Sequence, residues 1–201
     1  MERVAVVDYG LGNLRSVSRG LERAGATVRV TSAPDDIRAA DRIVLPGVGA
    51  FHEGMAQLRP LVEVIREVAG RVPVLGICLG MQMLLESSEE HGRHAGLELV
   101  PGEVRGFPRV AGYKVPHMGW NTIRIEQPGD PLVDGLRSEE YVYFVHSFYA
   151  ETGPVDRLCS TAYILSFASV VRTGYAWGTQ FHPEKSGAVG LRILENFCER
   201  C

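Results

Sequence analysis

The sequence predicts an α/β fold with a mostly parallel central sheet, helices on both of its faces and added antiparallel strands. Two observations support this class: strand-like apolar runs alternate with segments of helical spacing in the first half, and short alternating runs bounded by Gly and Pro fill the second half. A chain of 201 residues with 45% hydrophobic side chains can bury one substantial core. We therefore expect a single domain over residues 1–201.

The first half begins with a strand and continues as an alternation of helices and strands. Leu14, Val17 and Leu21 recur at helical spacing after the first strand and its glycine-rich turn. Strands that are joined through helices are expected to run parallel. The predicted strands are Arg3–Asp8, Thr27–Thr31, Arg42–Leu45 and the run from Val72 to Cys78, and the predicted helices are Leu14–Gly25, Pro34–Ala40, Met55–Ala69 and a helix after Cys78 that ends near Ser87.

The second half predicts hairpins and antiparallel strands that are added to the parallel core. The last predicted helix carries Leu191, Leu194 and Phe197 along one apolar stripe. The predicted strands are Asn121–Ile125, Tyr141–Ala150, Ser166–Thr173 and the run WGTQF before His182, and the helix is Ala188–Glu199.

The charge balance and the first residues argue against several classes of function. A net charge of −3 and a pI near 6.1 give no electrostatic reason to bind nucleic acid or an anionic membrane. The start MERVAVVDYG lacks the features of a secretory signal, and no apolar run approaches the roughly 20 residues that span a bilayer. We expect a cytoplasmic protein with free thiols.

The cysteines and glycines predict neither a metal site nor a nucleotide cofactor. Cys198 and Cys201 are close in sequence, but they have no second pair and no nearby His. Gly10 and Gly12 follow the first strand, but the third glycine of a dinucleotide fingerprint is missing from its place. We expect no metal and no cofactor.

Cys78 stands between a strand and a helix in the run LGICLG. A nucleophile at such a sharp turn needs small neighbours, which Gly76 and Gly80 provide. The start of a helix also favours thiolate over thiol. The alternative is a buried, unreactive cysteine in a strand–helix corner. Because the loops Asp8–Asn13 and Pro46–Gly49 also follow strands, we expect three loops to meet at one edge of the sheet.

His182 has the best setting for the base that a cysteine nucleophile needs. In an extended segment residues i and i+2 point the same way, so Glu184 can orient the imidazole across Pro183. A structural histidine at a strand end is the alternative. His117 and His146 are interpreted as structural or as part of the site. The remaining histidines have the polar surroundings of solvated side chains: His52, His91 and His94.

Two motifs in the same chain resemble those of class I glutamine amidotransferases. LGICLGMQ around Cys78 is similar to their nucleophile segment, and QFHPEKS around His182 is similar to their His-Pro-Glu segment. Three further segments, DYGLGNLRSV, PGVGAFHEGM and KVPHMGWN, are similar to segments of the glutaminase subunits of imidazole glycerol phosphate synthases. The resemblance covers Val6 to Gly187, without departure at a motif position.

This resemblance implies hydrolysis of glutamine to glutamate and ammonia through a cysteinyl thioester. Cys78 is then the nucleophile, His182 the acid and base, and Glu184 its orienting group. The Leu79 N–H is the natural first oxyanion donor, and the resemblance implies the Val48 amide as the second. A tight strand-to-helix turn is the alternative interpretation of PGVG. The expected oxyanion and substrate-binding residues are Gly47, Val48, Gly49, Leu79, Gln82, Glu90, His146, Ser147 and Phe148.

The resemblance also implies a heterodimer, since ammonia released into water would be protonated or lost. The implied partner is a (β/α)8 barrel subunit that receives ammonia and forms imidazole glycerol phosphate and AICAR in histidine biosynthesis. The partner could also switch activity on by setting the PGVG peptide. Trp120 is expected to anchor the interface, with a core position as the alternative. The expected contact residues are Asn13, Lys114, His117, Trp120, Asn121 and Tyr141.

Three competing functions are kept. γ-Glutamyl peptidases use the same Cys–His chemistry without transferring ammonia. A regulatory module would keep the fold without turnover, although the intact Cys78, His182 and Glu184 argue against it. Amidotransferase subunits for pyridoxal phosphate, guanine nucleotides or anthranilate are the third possibility. The segment KVPHMGWN is the feature that separates this chain from those subunits.

Overall fold

Residues 2–201 are described by the computed structural model, and they form thirteen strands, six α-helices and three short 3-10 turns. None of the helices in this part of the chain is long and apolar enough to cross a lipid bilayer. The strands are β1 Arg3–Val7, β2 Thr27–Thr31, β3 Arg42–Gly47, β4 Val74–Cys78, β5 Leu85–Ser88, β6 His94–Ala95, β7 Val100–Gly106, β8 His117–Ile125, β9 Glu140–His146, β10 Phe148–Glu151, β11 Arg157–Ala162, β12 Ser166–Thr173 and β13 Ala176–Thr179. The helices are α1 Leu14–Arg23, α2 Pro34–Ala39, α3 Phe51–Leu58, α4 Val62–Ala69, α5 Leu79–Met83 and α6 Gly187–Glu199, and the 3-10 turns are Arg59–Leu61, Pro131–Val133 and Pro183–Lys185.

Parallel strands form one half of a mixed sheet, in the order β2-β1-β3-β4-β13. From β13 the sheet continues through the antiparallel strands β12, β10 and β7. β5 then pairs with β7 in parallel, and β6 lies at the edge. β11, β8 and β9 form an antiparallel branch from β12. The predicted fold class is confirmed, including the antiparallel strands of the second half.

Helices cover both faces of the parallel strands, as the alternating sequence predicts. Along β1, Val4 and Val6 belong to the apolar cluster that holds the buried side chains of α1 and α6. Ala5 and Val7 belong to a second cluster, which holds those of α2 to α5. Successive side chains of a strand point to opposite faces, so β1 separates two helical layers.

Two predicted helices have the wrong bounds. The helix predicted over Met55–Ala69 begins earlier, at Phe51, and is divided near Pro60 into α3 and α4. Proline has no backbone N–H to donate in a helix interior, which accounts for the break. The helix predicted to end near Ser87 ends at Met83. The residues after it form β5, because pairing with β6 and β7 outweighs the local helical pattern.

Three predicted strands also differ from the structure. The strand predicted over Asn121–Ile125 begins earlier, at His117, and the other two differences lie closer to Cys78. β3 does not end at Leu45 but continues to Gly47, which pairs in register with Cys78 of β4. The run Tyr141–Ala150 is not one strand, because it is divided at Ser147. Before this residue the chain pairs with β8, and after it the chain pairs with β7 and β12. Both differences place backbone beside the end of β4.

The start of α5 approaches the end of β3 so closely that only glycine fits. A Cβ atom built on Gly80 would lie 1.8 Å from the carbonyl oxygen of Leu45. Real Cβ contacts are never this short, and the obstructing atom is backbone. The turn at Cys78 is therefore held against β3 by direct contact between the two main chains.

We predict that Gly80→Ala lowers the free energy of unfolding by about 1–3 kcal/mol or more, because the new methyl group must displace β3 or α5. Urea denaturation of the purified protein measures this change. Gly70→Ala is a matched control: a Cβ at Gly70 meets nothing within 4 Å, and its φ is negative. A Gly80→Ala midpoint equal to that of the wild type would contradict the close approach.

Candidate active site

Cys78 is the last residue of β4 and the residue from which α5 begins. Its φ of 54° and ψ of −107° lie in a region that non-glycine residues rarely adopt. Such a conformation costs on the order of 1–3 kcal/mol and persists when the surroundings impose it. The prediction of a sharp strand–turn–helix corner with the thiol at its apex is confirmed.

His182 and Glu184 form a buried pair near this thiol. The Nδ1 atom of His182 lies 2.8 Å from Oε1 of Glu184, and the two side chains are 2% and 0% exposed. Because a carboxylate accepts, Nδ1 carries the proton and donates it. Within residues 2–201 Nε2 of His182 is buried without a hydrogen-bond partner. Because His182 lines the same cleft as Cys78, its proton is placed for transfer to a molecule bound there.

The pKa of His182 reflects two opposing effects. Burial lowers it, but interactions with Cys78 and Glu184 outweigh burial and raise the pKa to about 9. The imidazole is therefore protonated at neutral pH. This arrangement is an imidazolium ready to act as an acid beside a thiol.

The pair His117 and His146 has the opposite electrostatics. The rings are joined by a 2.9 Å contact between Nδ1 of His117 and Nε2 of His146, whose Nδ1 lies 2.8 Å from the Phe148 carbonyl oxygen. Burial lowers their pKa values to about 4 for His117 and about 3 for His146. Both rings are neutral at pH 7. His146 thus has the chemistry of a neutral hydrogen-bonding group rather than that of the charged acid.

A cleft of about 380 Å³ opens at the carboxyl ends of the parallel strands. It contains Cys78 and His182 and nearly all of the predicted oxyanion and substrate-binding residues. Gly47 and Glu184 do not line it: Gly47 is buried in β3, and Glu184 is buried behind His182. The lining residues are Val48, Gly49, Cys78, Leu79, Gln82, Glu90, Pro116, Val145, His146, Ser147, Phe148 and His182.

Two of the predicted residues also hold the walls of the cleft. Glu90 accepts a 2.7 Å hydrogen bond from the N–H of Phe51, so it caps the start of α3. Gln82 donates through Nε2 to the Phe148 carbonyl oxygen at 3.0 Å. The Oε1 atom of Gln82 and the second carboxylate oxygen of Glu90 therefore remain for a ligand.

Gln180 is a residue of this site that the sequence reasoning missed. Its Oε1 accepts from Gln82 at 3.2 Å, and its Nε2 donates to the Cys78 sulfur at 3.8 Å. Gln180 precedes His182 by two residues in an extended segment, so the two side chains point the same way. The same spacing had identified Glu184, and it could have identified Gln180. Pro116 and Val145 line the cleft through long-range packing, for which the sequence carries no local signal.

Most of the predicted contact residues lie at the surface. Trp120 and Tyr141 are 56% and 61% exposed on the paired strands β8 and β9, so the core alternative for Trp120 is wrong. Lys114 is exposed, and Asn13 and Asn121 are partly exposed. His117 is the exception: it is 3% exposed, which contradicts its prediction as a contact side chain. Its ring instead stacks between Phe144 and Tyr163.

The other histidines and cysteines lie apart from this chemistry. His52 and His91 are exposed and His94 is partly exposed, in agreement with the predicted solvated side chains. The remaining thiols are free, with Cys159 and Cys198 buried. Within residues 2–201 no group of three or more His, Cys, Asp and Glu side chains is arranged to hold a metal ion.

Comparison with known proteins identifies the family. The model of the family "Glutamine amidotransferase class-I" matches residues 5–201. The "Imidazole glycerol phosphate synthase subunit HisH" of Methanosarcina acetivorans is 53% identical, and the match covers 100% of both chains. The HisH subunit of Archaeoglobus fulgidus is 50% identical, with 96% of each chain covered.

Solved structures agree on the fold. A "putative gmp synthase subunit a protein" from Thermoplasma acidophilum matches with a TM-score of 0.75 at 23% identity, over 98% of this chain and 92% of that chain. A chain in the structure of PurLQS from Thermotoga maritima matches with a TM-score of 0.75 at 20% identity, over 98% of each. The chain belongs to the class I glutamine amidotransferases and, within them, to the family of the HisH subunits of imidazole glycerol phosphate synthase.

Proposed function

We propose that this chain hydrolyses glutamine at Cys78 and passes the ammonia to a barrel-shaped synthase subunit in the cytoplasm, as a step of histidine biosynthesis. The observation that carries the proposal is the cleft in which Cys78 faces a protonated histidine that is held by a buried carboxylate. The family supplies the overall reaction, and the residues of the cleft supply the chemistry below.

The first step is attack by the Cys78 thiolate on the side-chain amide carbon of glutamine. The C–N bond breaks as His182 gives its Nε2 proton to the departing nitrogen, so that ammonia leaves and a thioester remains. A pKa near 9 suits this role, because His182 carries the required proton at neutral pH. Water then attacks the thioester, with the neutral His182 as the base.

The tetrahedral intermediates carry negative charge on the former amide oxygen. The N–H of Leu79, at the start of α5, is the first donor to this oxygen, and the amide of Val48 is the second. Both residues line the cleft, and Gly49 after Val48 has a φ of 101°. In this proposal the glycines beside Val48 allow the peptide to turn toward the oxyanion.

The amino-acid end of glutamine carries an ammonium group and a carboxylate. The free oxygens of Gln82 and Glu90 are suited to accept from the ammonium group. His146, Ser147 and Phe148 form the adjoining wall, which Gln82 contacts through the Phe148 carbonyl oxygen. The neutral His146 fixes this wall through its hydrogen bond to the Phe148 carbonyl oxygen.

The partner is proposed to bind the surface of the β8–β9 hairpin. Met118, Trp120 and Tyr141 are 63%, 56% and 61% exposed, and the register of β8 and β9 places them on one face. A contiguous exposed apolar patch of this kind marks an interaction surface. Trp120 is the proposed anchor, with its ring 5.9 Å from that of Tyr143. In the heterodimer, binding at this hairpin would switch on the cleft and enclose the path of ammonia.

We predict that Cys78→Ala abolishes glutaminase activity in the presence of the barrel subunit, with kcat reduced by at least about 10³-fold, because no thioester can form. Ammonia release from glutamine measures this loss. Cys201→Ala, at the far C-terminus, serves as the control and should keep wild-type activity. Activity retained by Cys78→Ala would refute the assigned nucleophile.

Glu184→Gln should lower the pKa of His182, because one of the groups that raises it is lost while burial remains. We expect kcat/KM of the wild type to fall as pH rises through about 9, and this alkaline limb to move to lower pH in the variant. We also expect a decrease in kcat of about 10²–10⁴-fold, because the tautomer is no longer fixed. Glu63→Gln, a side chain that is 92% exposed, is the matched control.

The same shift links stability to pH. The pKa of His182 is higher in the folded protein than the usual 6.5, so its stabilising contribution is complete below pH 6.5 and is lost as pH rises toward 9. Glu184→Gln should reduce this dependence in denaturation experiments. An unchanged alkaline limb and an unchanged stability profile in the variant would argue against the orienting role of Glu184.

We predict that Trp120→Ala raises the Kd for the barrel subunit by at least about 30-fold, because an anchoring aromatic side chain is lost. Calorimetric titration of the two subunits measures this change. Val155→Ala is the control, since Val155 is 81% exposed and lies outside the hairpin. An unchanged Kd would place the interface elsewhere, and a free subunit as active as the complex would contradict switching by the partner.

Glutamine hydrolysis without transfer of ammonia to the synthase subunit would favour the peptidase alternative. Glutamine consumption and formation of the synthase product should therefore be measured together in the complex. Equal amounts of the two support ammonia transfer. Glutamate formed without the second product would support hydrolysis alone.

A further inference from the structure

Tyr9 is a buried side chain beside the site that the proposed chemistry does not use. It directly follows Asp8 at the carboxyl end of β1, and it is 6% exposed. Its hydroxyl group donates a 2.7 Å hydrogen bond to the carbonyl oxygen of Pro46, near the end of β3. The loop Asp8–Asn13 does not itself line the cleft, contrary to the expectation that three loops meet there. Tyr9 instead joins this loop to the strand that leads to Val48.

The hydroxyl group lies within the contact between β3 and the Cys78 turn. A Cβ atom on Gly47 would lie 2.5 Å from the Tyr9 oxygen and 2.9 Å from the N–H nitrogen of Gly80. Burial raises the pKa of the Tyr9 hydroxyl, and the charge of Cys78 raises it further. The group is therefore a permanent hydrogen-bond donor at any pH at which the enzyme works.

The hydrogen bond from Tyr9 to the Pro46 carbonyl oxygen holds one peptide plane and leaves the next one able to turn. The Pro46 carbonyl group lies in the peptide plane that joins Pro46 to Gly47, and a fixed carbonyl oxygen fixes that plane. The Val48 N–H lies in the next plane, whose orientation depends on ψ of Gly47 and φ of Val48. With the first plane held, the Val48 amide can turn through opposite changes in these two angles while the Pro46–Gly47 peptide stays in place.

We propose that Tyr9 is a positioning residue of the oxyanion hole: its hydroxyl group holds the Pro46 carbonyl so that the Val48 amide can turn without displacing the strand. The inference rests on the proposed function, because it assumes that Val48 N–H is an oxyanion donor. Tyr9 touches neither the glutamine nor the reacting atoms and acts through β3.

A positioning role predicts a specific kinetic signature. An oxyanion donor interacts with charge that exists only in the transition state and the intermediates. Tyr9→Phe keeps the ring that fills the core and removes only the hydroxyl group. We therefore expect kcat for glutamine to fall about 10–100-fold in the complex with the barrel subunit, with KM changed less than about twofold, because loss of a complete donor costs about 10²–10³-fold.

Alkylation of Cys78 by iodoacetamide provides a second measurement, since this reaction forms no oxyanion. Its rate should be the same in the wild type and in Tyr9→Phe. Tyr175→Phe is the matched control: its carbonyl oxygen accepts from Val74 at the opposite end of β4, and its side chain is 50% exposed. This variant should match the wild type in both reactions.

Binding of glutamate γ-semialdehyde tests the inference even if Tyr9→Phe is less stable, because the measurement can be restricted to folded protein. The Cys78 sulfur adds to the aldehyde carbon, and the former carbonyl oxygen takes negative charge in the oxyanion hole. Tyr9→Phe should weaken this ligand at least about tenfold and leave the affinity for glutamate unchanged.

Two results would overturn the role of Tyr9: a kcat within twofold of the wild type, or equal decreases in kcat and in the alkylation rate, which would place its effect on the thiol. Failure of the proposed function would give a different result. In that case the wild-type complex itself would release no ammonia from glutamine, whatever residue occupies position 9.

Discussion

The parallel pairing of β3, β4 and β13 is the constraint on which the site depends. Its register places Gly47 beside Cys78 and Thr179 beside Ile77, so the three strands end at the same level of the sheet. β3 and β13 then continue into loops and β4 directly into α5, and residues of all three segments line the same cleft. Residues that are more than a hundred positions apart in sequence meet there without any direct covalent or metal link, because main-chain hydrogen bonds set their positions.

Different neighbours give two similarly buried histidines opposite protonation states. His146 has a carbonyl group and another neutral imidazole as its main partners, so burial lowers its pKa to about 3. His182 has a carboxylate and a thiol, which outweigh burial and raise its pKa to about 9. The cleft therefore combines one neutral hydrogen-bonding wall with one proton donor. Residue type alone gives no means to distinguish these roles.

Local patterns were sufficient for the parts of the fold in which the chain interacts with itself over short distances. The corner at Cys78 and the buried pair of His182 and Glu184 follow from spacing within a few residues, and both could be predicted. The strand character of β5 and the division at Ser147 depend on pairing with distant strands. The burial of His117 likewise arises from tertiary packing, which local spacing does not encode. Gln180 differs from His117, because its spacing of two residues from His182 places it on the side of the site, and only its contact with Cys78 depends on the tertiary fold.

At Cys78 the residue that the reaction needs differs from the residue that would make the fold most stable. Glycine adopts a φ of 54° far more readily than cysteine. A glycine at position 78 would therefore relieve most of the strain of about 1–3 kcal/mol, less the larger conformational entropy that glycine loses on folding, while removing the thiol. Selection for stability alone would therefore favour loss of the reactive group. The cysteine makes the folded state less stable than the same backbone allows, and this deficit is a thermodynamic sign of the reaction that the turn supports.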